Sequence, residues 1–184
     1  MLKSLETISS VVKYSNPYWE YKFDEYKLPN GNIGEYHYVN SFGSTIVIPR
    51  NDNGNYILTR QYRYLNKKYS IEFPGGGLKR GVDPIENALN ELKEETGYIA
   101  KEIFLIGDYN PFNGVTNEIC KVYLATDLLK GSAKPDISEE FEILEINYKE
   151  IINKISKGEI WDGMTLSAWV LYYYSPQNFA EPKY

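Results

Sequence analysis

Histidine and cysteine each occur once in this 184-residue chain, as His37 and Cys120. A lone cysteine excludes an intrachain disulfide, and the two residues lie far apart with no Cys-His nucleophile signature around either. Ser-His hydrolysis and histidine-based metal binding are equally poorly supplied. Cys120 falls in a strand-like run and reads as a small core residue. No apolar stretch approaches the ~18 residues of a membrane helix, and the N-terminus has no apolar signal segment, so a cytoplasmic protein with no membrane partner is expected. Basic residues are in deficit, 20 Lys and Arg against 25 Asp and Glu, for a net charge of −5. Without a basic stripe to neutralise phosphates, nucleic acid is not an expected partner. A polyanionic small substrate would need local cations, such as a metal ion.

What is present is material for a core and an interface: 42% of residues are apolar and 18 are tyrosines. The length suits one compact domain with an appendage. Residues 8–14, 19–26 and 33–39 alternate polar and apolar and are broken by Asn16-Pro17 and Asn30-Gly31, which predicts three strands with turns. So small an antiparallel sheet is marginal alone and should pack on something else. Residues 44–49 and 56–62, split by Asn51-Asp52-Asn53-Gly54, read as a hairpin. Beyond, 102–107, 118–126 and 141–146 read as strands, 149–157 and 164–174 as helices, and the polar 130–139, with Gly131 and Pro135, as a loop. The expected organisation is a β unit over 1–41 and a larger domain over 42–184.

Residues 76–98, GGLKRGVDPIENALNELKEETGY, carry the chemistry. At about 100° per residue a helix over 84–96 gathers Ile85, Ala88, Leu89 and Leu92 into one apolar stripe. Glu91 and Glu95 then lie one turn apart along its edge, and Glu94 points further to solvent. Two carboxylates so placed repel by a few tenths of a kcal/mol, which a divalent cation between them would relieve. Oxygen-only ligands favour Mg²⁺ or Mn²⁺. Asp83 suits the N-cap, with Glu86 completing a capping-box-like pair, Pro84 suits the first helical position, and Gly97 suits the C-terminal cap. Taken alone, Glu-x-x-Glu-Glu is more often a solvated helix face than a site. The preceding Glu72-Phe73-Pro74-Gly75-Gly76 turn and its spacing to the helix decide for a site.

This segment resembles the Nudix signature, Gly-x5-Glu-x7-Arg-Glu-aliphatic-x-Glu-Glu-x-Gly-aliphatic, with Val82 standing where the first Glu is expected and Asn90 where the Arg is expected. Losing both partners of a supporting ion pair is easier to tolerate than losing one, so the expectation is a site with altered supporting contacts, not a dead one. Together with Leu28-Pro29-Asn30-Gly31, Gln61-Tyr62-Arg63, residues 71–76, Gly114-Val115-Thr116-Asn117-Glu118 and Gly163-Met164-Thr165-Leu166, the chain resembles the ADP-ribose pyrophosphatase branch of that superfamily over nearly its whole length. The resemblance implies an α/β fold, an α/β/α sandwich around a mixed β-sheet, plus a small N-terminal antiparallel β unit that crosses to a second subunit, hence a homodimer. It implies metal ligands Glu91 and Glu95, a further or water-mediated ligand Glu94, and the Gly75 carbonyl. It implies a phosphate-binding Arg63 and a general base on the loop before Phe141, for which Glu140 is preferred over Glu139. Glu118 would bind substrate or compete as the base, and Trp19 or Tyr18 would stack on the nucleotide base; packing in a core or dimer interface is an equal reading for these aromatics. Glu72 reads as structural. The ADP-ribose-specific members carry a Pro about fifteen positions past the signature, where this chain has Asn113, with Pro111 two residues earlier. The implied reaction is Mg²⁺-dependent hydrolysis of a nucleoside diphosphate sugar, ADP-ribose giving AMP and ribose 5-phosphate, with GDP-mannose or another sugar nucleotide as the alternative and a weakly catalytic binding module as a third reading.

Overall fold

The structure is a computed structural model and describes residues 4–132 and 140–177. Three strands open the chain, β1 (Glu6–Ser15), β2 (Trp19–Lys27) and β3 (Ile33–Ser41), paired antiparallel into a sheet of their own as the alternation predicts. They are followed by β4 (Ser44–Pro49), β5 (Tyr56–Arg63), β6 (Lys68–Glu72), β7 (Gly75–Gly77), α1 (Pro84–Thr96), β8 (Tyr98–Tyr109), β9 (Cys120–Lys130), β10 (Glu142–Ile146), α2 (Tyr148–Ser156) and α3 (Gly163–Tyr174). Among the described residues no helix is long and apolar enough to cross a membrane.

The body is built around β4, all six residues of which are buried. It pairs parallel with β9 and antiparallel with β7, and β8 closes the outer edge antiparallel to β9, giving a mixed sheet ordered β7-β4-β9-β8. Alternate β4 side chains serve opposite layers. Ile46 and Ile48 join Tyr56, Trp169 and Tyr172 beneath α2 and α3, whereas Val47 joins Ile57, Ala88 and Leu92 beneath α1. Helices on both faces explain an uninterrupted apolar run where a one-sided strand would alternate. The expected α/β/α layering is present, with three helices around the sheets.

One expectation is corrected. Residues 44–49 and 56–62 do not form a hairpin ladder: a single bridge, Arg50 with Tyr56, joins them before β4 enters the mixed sheet and β5 a separate antiparallel sheet ordered β10-β5-β6. The turn itself forms, with Asn51 Oδ1 accepting from the amides of Asn53 and Asn55 and Gly54 at φ 79°. Both edges of β4 are already taken by β7 and β9, so β5 has no edge to pair with and splays away.

Helix α1 is capped at both ends by the residues expected, Asp83 and Gly97, while the capping box is formed at α2, between Asn147 and Glu150. Asp83 accepts from the amides of Ile85 and Glu86 at 2.9 and 3.1 Å, and Gly97 closes the helix in the left-handed region at φ 76°. Its buried stripe begins later than expected: Ala88 and Leu92 are inaccessible, Ile85 is 46% exposed, and burial extends to Glu95 and Thr96. The N-terminal sheet docks on the body through β3. Val39 exchanges backbone hydrogen bonds with Val115 and Asn117, the Asn117 carboxamide links Ser41 N and Asn40, and the Tyr36 hydroxyl donates to Gly114 O at 3.0 Å. Glu20 on β2 reaches Arg80 at 2.7 Å and accepts from Asn40 at 3.1 Å.

Because Leu92 is fully buried where α1 meets the mixed sheet, Leu92→Ala should destabilise the protein by about 2–5 kcal/mol through lost burial and a residual cavity, read as a lower denaturant midpoint.

Candidate active site

The site is assembled where β7 is pressed between β4 and α1. Gly75, Gly76 and Gly77 pair with Ile46, Thr45 and Ser44, and the first two are closely crowded by their neighbours. A Cβ on Gly75 would meet the Thr45 carbonyl oxygen at 2.3 Å, and one on Gly76 would meet Glu91 Oε1 at 2.4 Å. The glycines therefore let backbone lie directly against a strand on one side and a carboxylate on the other. The approach to this ribbon is fixed as well, by the Phe73 amide donating to Thr165 Oγ1 at 3.2 Å and the Val47 amide donating to Pro74 O at 2.9 Å.

The signature glutamates separate by environment. Glu91 is half-buried against Gly76, Glu95 is 6% exposed, and Glu94 is exposed. Asn87, one turn before Glu91, donates from Nδ2 to Thr45 Oγ1 at 2.9 Å and to Gly76 O at 3.4 Å. Among the described residues no three Asp, Glu, His or Cys side chains converge tightly enough to hold a cation by themselves. The donor chemistry still fits Mg²⁺ or Mn²⁺: the half-buried Glu91 carboxylate lies against Gly76, and the buried Glu95 stands one turn further along the helix. Mg²⁺ is commonly bound through one or two carboxylates and completed by substrate phosphate and water.

Beside the ribbon lies a cavity of about 230 Å³ whose walls include Arg63, Glu72, Glu118, Asp162 and Gly75–Gly77. Arg63 grips the buried Glu72 through two charge-assisted hydrogen bonds, Nε to Oε1 at 2.8 Å and Nη2 to Oε2. That bond raises the guanidinium pKa further, against the opposing effect of burial, and the charges of Asp162 and Glu95 add to it. Glu72, read as structural, is thus the anchor of the expected phosphate ligand; it also accepts from Gln61 Nε2 at 3.4 Å. Glu118 accepts from Ser44 Oγ at 2.5 Å and lines the same cavity. Cys120 lies fully buried nearby, and burial pushes its thiol pKa up, in keeping with a core role. Among the described residues lining this cavity Arg63 alone is basic, against Glu72, Glu118 and Asp162. A diphosphate entering here meets a net negative wall.

Other expected residues are not gathered at this point. Glu140 is exposed and lines a separate, wider cleft of about 660 Å³ with Arg60, Tyr62, Tyr69 and Phe141; Gln61 lines that cleft and hydrogen-bonds Glu72 in the glycine cavity. Glu139 lies outside the described residues. Trp19 packs on Tyr14, with ring centroids 5.7 Å apart, and does not line the cavity. Tyr18 does border the ribbon: a Cβ on Gly77 would sit 3.6 Å from its ring, and Lys79 Nζ lies 5.8 Å from its centroid. Residues 110–117 are shaped by Asn110, which accepts from Phe112 N and donates to Thr116 O, not by a proline at 113.

Three participants escaped the sequence reading. Asp162 caps α3 by accepting from Thr165 N at 2.7 Å while facing the cavity, and an Asp before a helical run signals a cap without announcing a second duty. Ser44 and Asn87 sit in an apolar strand and a polar helix face, with no local pattern to mark them.

A model of the NUDIX domain matches residues 41–165. An ADP-ribose pyrophosphatase of Bacillus subtilis (strain 168) is 30% identical over 171 residues, covering 91% of this chain and 92% of that one. A methanol dehydrogenase activator of Bacillus methanolicus is 30% identical over 165 residues, covering 89% of each. Among solved structures, an ADP compounds hydrolase superposes with a TM-score of 0.81 over 94% of both chains at 18% identity, a likeness of fold. The chain belongs to the NUDIX domain family, within its ADP-ribose pyrophosphatase-like branch, and is a pyrophosphohydrolase.

The two glycine contacts should respond differently to alanine. Gly75→Ala places a methyl against the main chain of β4, which must shift, at a stability cost of about 1–3 kcal/mol. Gly76→Ala displaces the end of the Glu91 side chain, so its unfolding midpoint should stay close to that of the parent while turnover falls. Paired denaturation and steady-state measurements would check this contrast.

Proposed function

We propose that the protein hydrolyses the pyrophosphate bond of a nucleoside diphosphate sugar in the cytoplasm, with ADP-ribose the favoured substrate, giving AMP and ribose 5-phosphate. The observation that carries this reading is the glycine ribbon packed on Glu91 beside an acidic cavity whose described lining has one basic residue, Arg63. Such a wall rejects a diphosphate unless cations are added, and the buried edge of α1 offers oxygen donors to hold them. Glu91, Glu95 and the Gly75 carbonyl would hold Mg²⁺ or Mn²⁺, with Glu94 reaching it through water. Such an ion would supply charge neutralisation for the diphosphate and activation of a water nucleophile.

The protein's own groups supply orientation and proton transfer. Arg63 directs Nε and one Nη2 donor to Glu72, and its remaining donors, on a side chain 46% exposed, are directed to a phosphate oxygen. Being held by a buried carboxylate, the fork is preorganised and loses little side-chain freedom when the substrate arrives. Glu118, fixed by Ser44, contacts the substrate on the opposite wall. Glu140 takes the proton from the attacking water, because glutamates committed to a cation are poor bases. Asn113 in place of the proline of ADP-ribose-specific members favours a second reading, in which GDP-mannose or another sugar nucleotide is the preferred substrate.

Assembly is the remaining part of the reading. The N-terminal sheet leaves Ile8, Val11, Val12, Tyr14 and Ile33 between 44% and 61% exposed. A three-stranded sheet with so much apolar surface in water favours coverage by a second copy, and we infer a homodimer built on residues 1–41.

A panel of ADP-ribose, GDP-mannose and UDP-glucose with Mg²⁺ or Mn²⁺, with products separated by ion exchange, tests the substrate; no hydrolysis of any of them would overturn the reading. Glu95→Gln should remove most turnover with the fold retained. Glu140→Gln should lower kcat by about 10²–10⁴-fold with metal affinity nearly unchanged; a silent Glu140→Gln beside an inactive Glu118→Gln or Glu139→Gln would transfer the role. Light scattering at micromolar concentration should give the mass of a dimer, and a monomer would refute the proposed assembly.

A further inference from the structure

The supporting ion pair that the signature expects cannot form here: Val82 is a hydrocarbon and Asn90 is an exposed amide. Something else must keep α1 and the glycine ribbon at the separation into which the Glu91 carboxylate fits. The two are in close contact, since one added carbon at Gly76 would overlap that carboxylate and push its flexible end aside. The Asn87 carboxamide bridges the separation from the helix, its Nδ2 donating to Thr45 Oγ1 at 2.9 Å and to Gly76 O at 3.4 Å. Asn87 lies four residues before Glu91, on the same helix face. Thr45 is the cross-strand partner of Gly76. The two hydrogens of one amide thus tie the helix to adjacent points on two strands, and the tie falls beside the carboxylate that depends on the spacing. Thr45 is 1% exposed, so the first bond is shielded from water.

We propose that Asn87 is the positioning residue of the metal site, holding the Gly75–Gly77 ribbon and the Glu91 edge of α1 in register in place of the ion pair absent at Val82 and Asn90. It touches neither the reacting atoms nor the cation. Its effect is to fix the angle at which the ribbon carbonyls and the Glu91 carboxylate face one another. This rests on the assignment of Glu91, Glu95 and the ribbon carbonyl to the metal.

Binding of Mn²⁺ to the full-length protein without substrate, followed by the electron paramagnetic resonance signal of the free ion, reads the site independently of turnover. Asn87→Ala should weaken Mn²⁺ binding by about 10–100-fold, the usual effect of losing a group that orients ligands. The thermal midpoint of the metal-free protein should move by less than about 4 °C. Asn87→Leu, which keeps the volume but not the donor, should weaken binding as much as Asn87→Ala. Unchanged Mn²⁺ affinity in Asn87→Ala, native affinity in Asn87→Leu, or a loss of affinity that only follows a collapse of the metal-free midpoint each overturns the proposal. Glu95→Gln separates the two levels. If it abolishes binding while Asn87→Ala does not, only the positioning role fails; if the parent binds no Mn²⁺, or Glu95→Gln binds as the parent does, the metal-site assignment fails and this role with it.

Discussion

Everything at the site depends on one close approach, that of the Gly75–Gly77 backbone to Thr45 on one side and to Glu91 on the other. Two distances, each shorter than any side chain could permit, determine what the surrounding elements must do. β4 has to be flat and buried on both faces to present an unobstructed edge. α1 has to start from a fixed cap, since sliding it by one residue would turn Glu91 away from the ribbon by about 100°. The chain between them, from Phe73 to Asp83, is pinned by Thr165, by Val47 and by the Asp83 cap, which leaves few ways for the helix to arrive wrongly.

Electrostatics reinforces the same geometry. Glu72 is 4% exposed and would be costly to bury alone, and the Arg63 fork compensates it. That pairing serves stability and function in opposite senses: the more firmly Glu72 holds the guanidinium, the less positive charge Arg63 has to offer a phosphate. Acidic groups therefore dominate the described lining of the cavity.

The sequence was most informative where local rules and packing agree. Asp83, Pro84 and Gly97 specify the ends of α1 in any context, and they delivered the helix to the residue. The three N-terminal strands were readable because each shows alternation between turn residues. Residues 44–49 carried no such mark of partner choice. An apolar run tells that a strand is buried and not which edges it fills, so the pairing of β4 with β7 and β9, dictated by residues thirty to eighty positions away, looked like a hairpin. The glycine strand β7 was invisible for a related reason, since three glycines have no strand propensity and are held only by the neighbour they pack on. Within the candidate site, spacing singled out the helix glutamates. It did not single out Ser44, Asn87 and Asp162, because their roles arise from what lies across a gap in space.

The N-terminal sheet is stitched to residues 112–118 by hydrogen bonds at Tyr36, Val39, Asn40 and Ser41, and to the signature loop by Glu20 and Arg80. Those stretches flank the cavity from two sides. The sheet is consequently a splint as much as an appendage: an insertion or deletion within β3 would shift the 112–118 loop by the same step and carry Glu118 with it. A graft of the body onto a foreign N-terminus would lose these ties and leave the loop to the bonds made by Asn110 and Ser44.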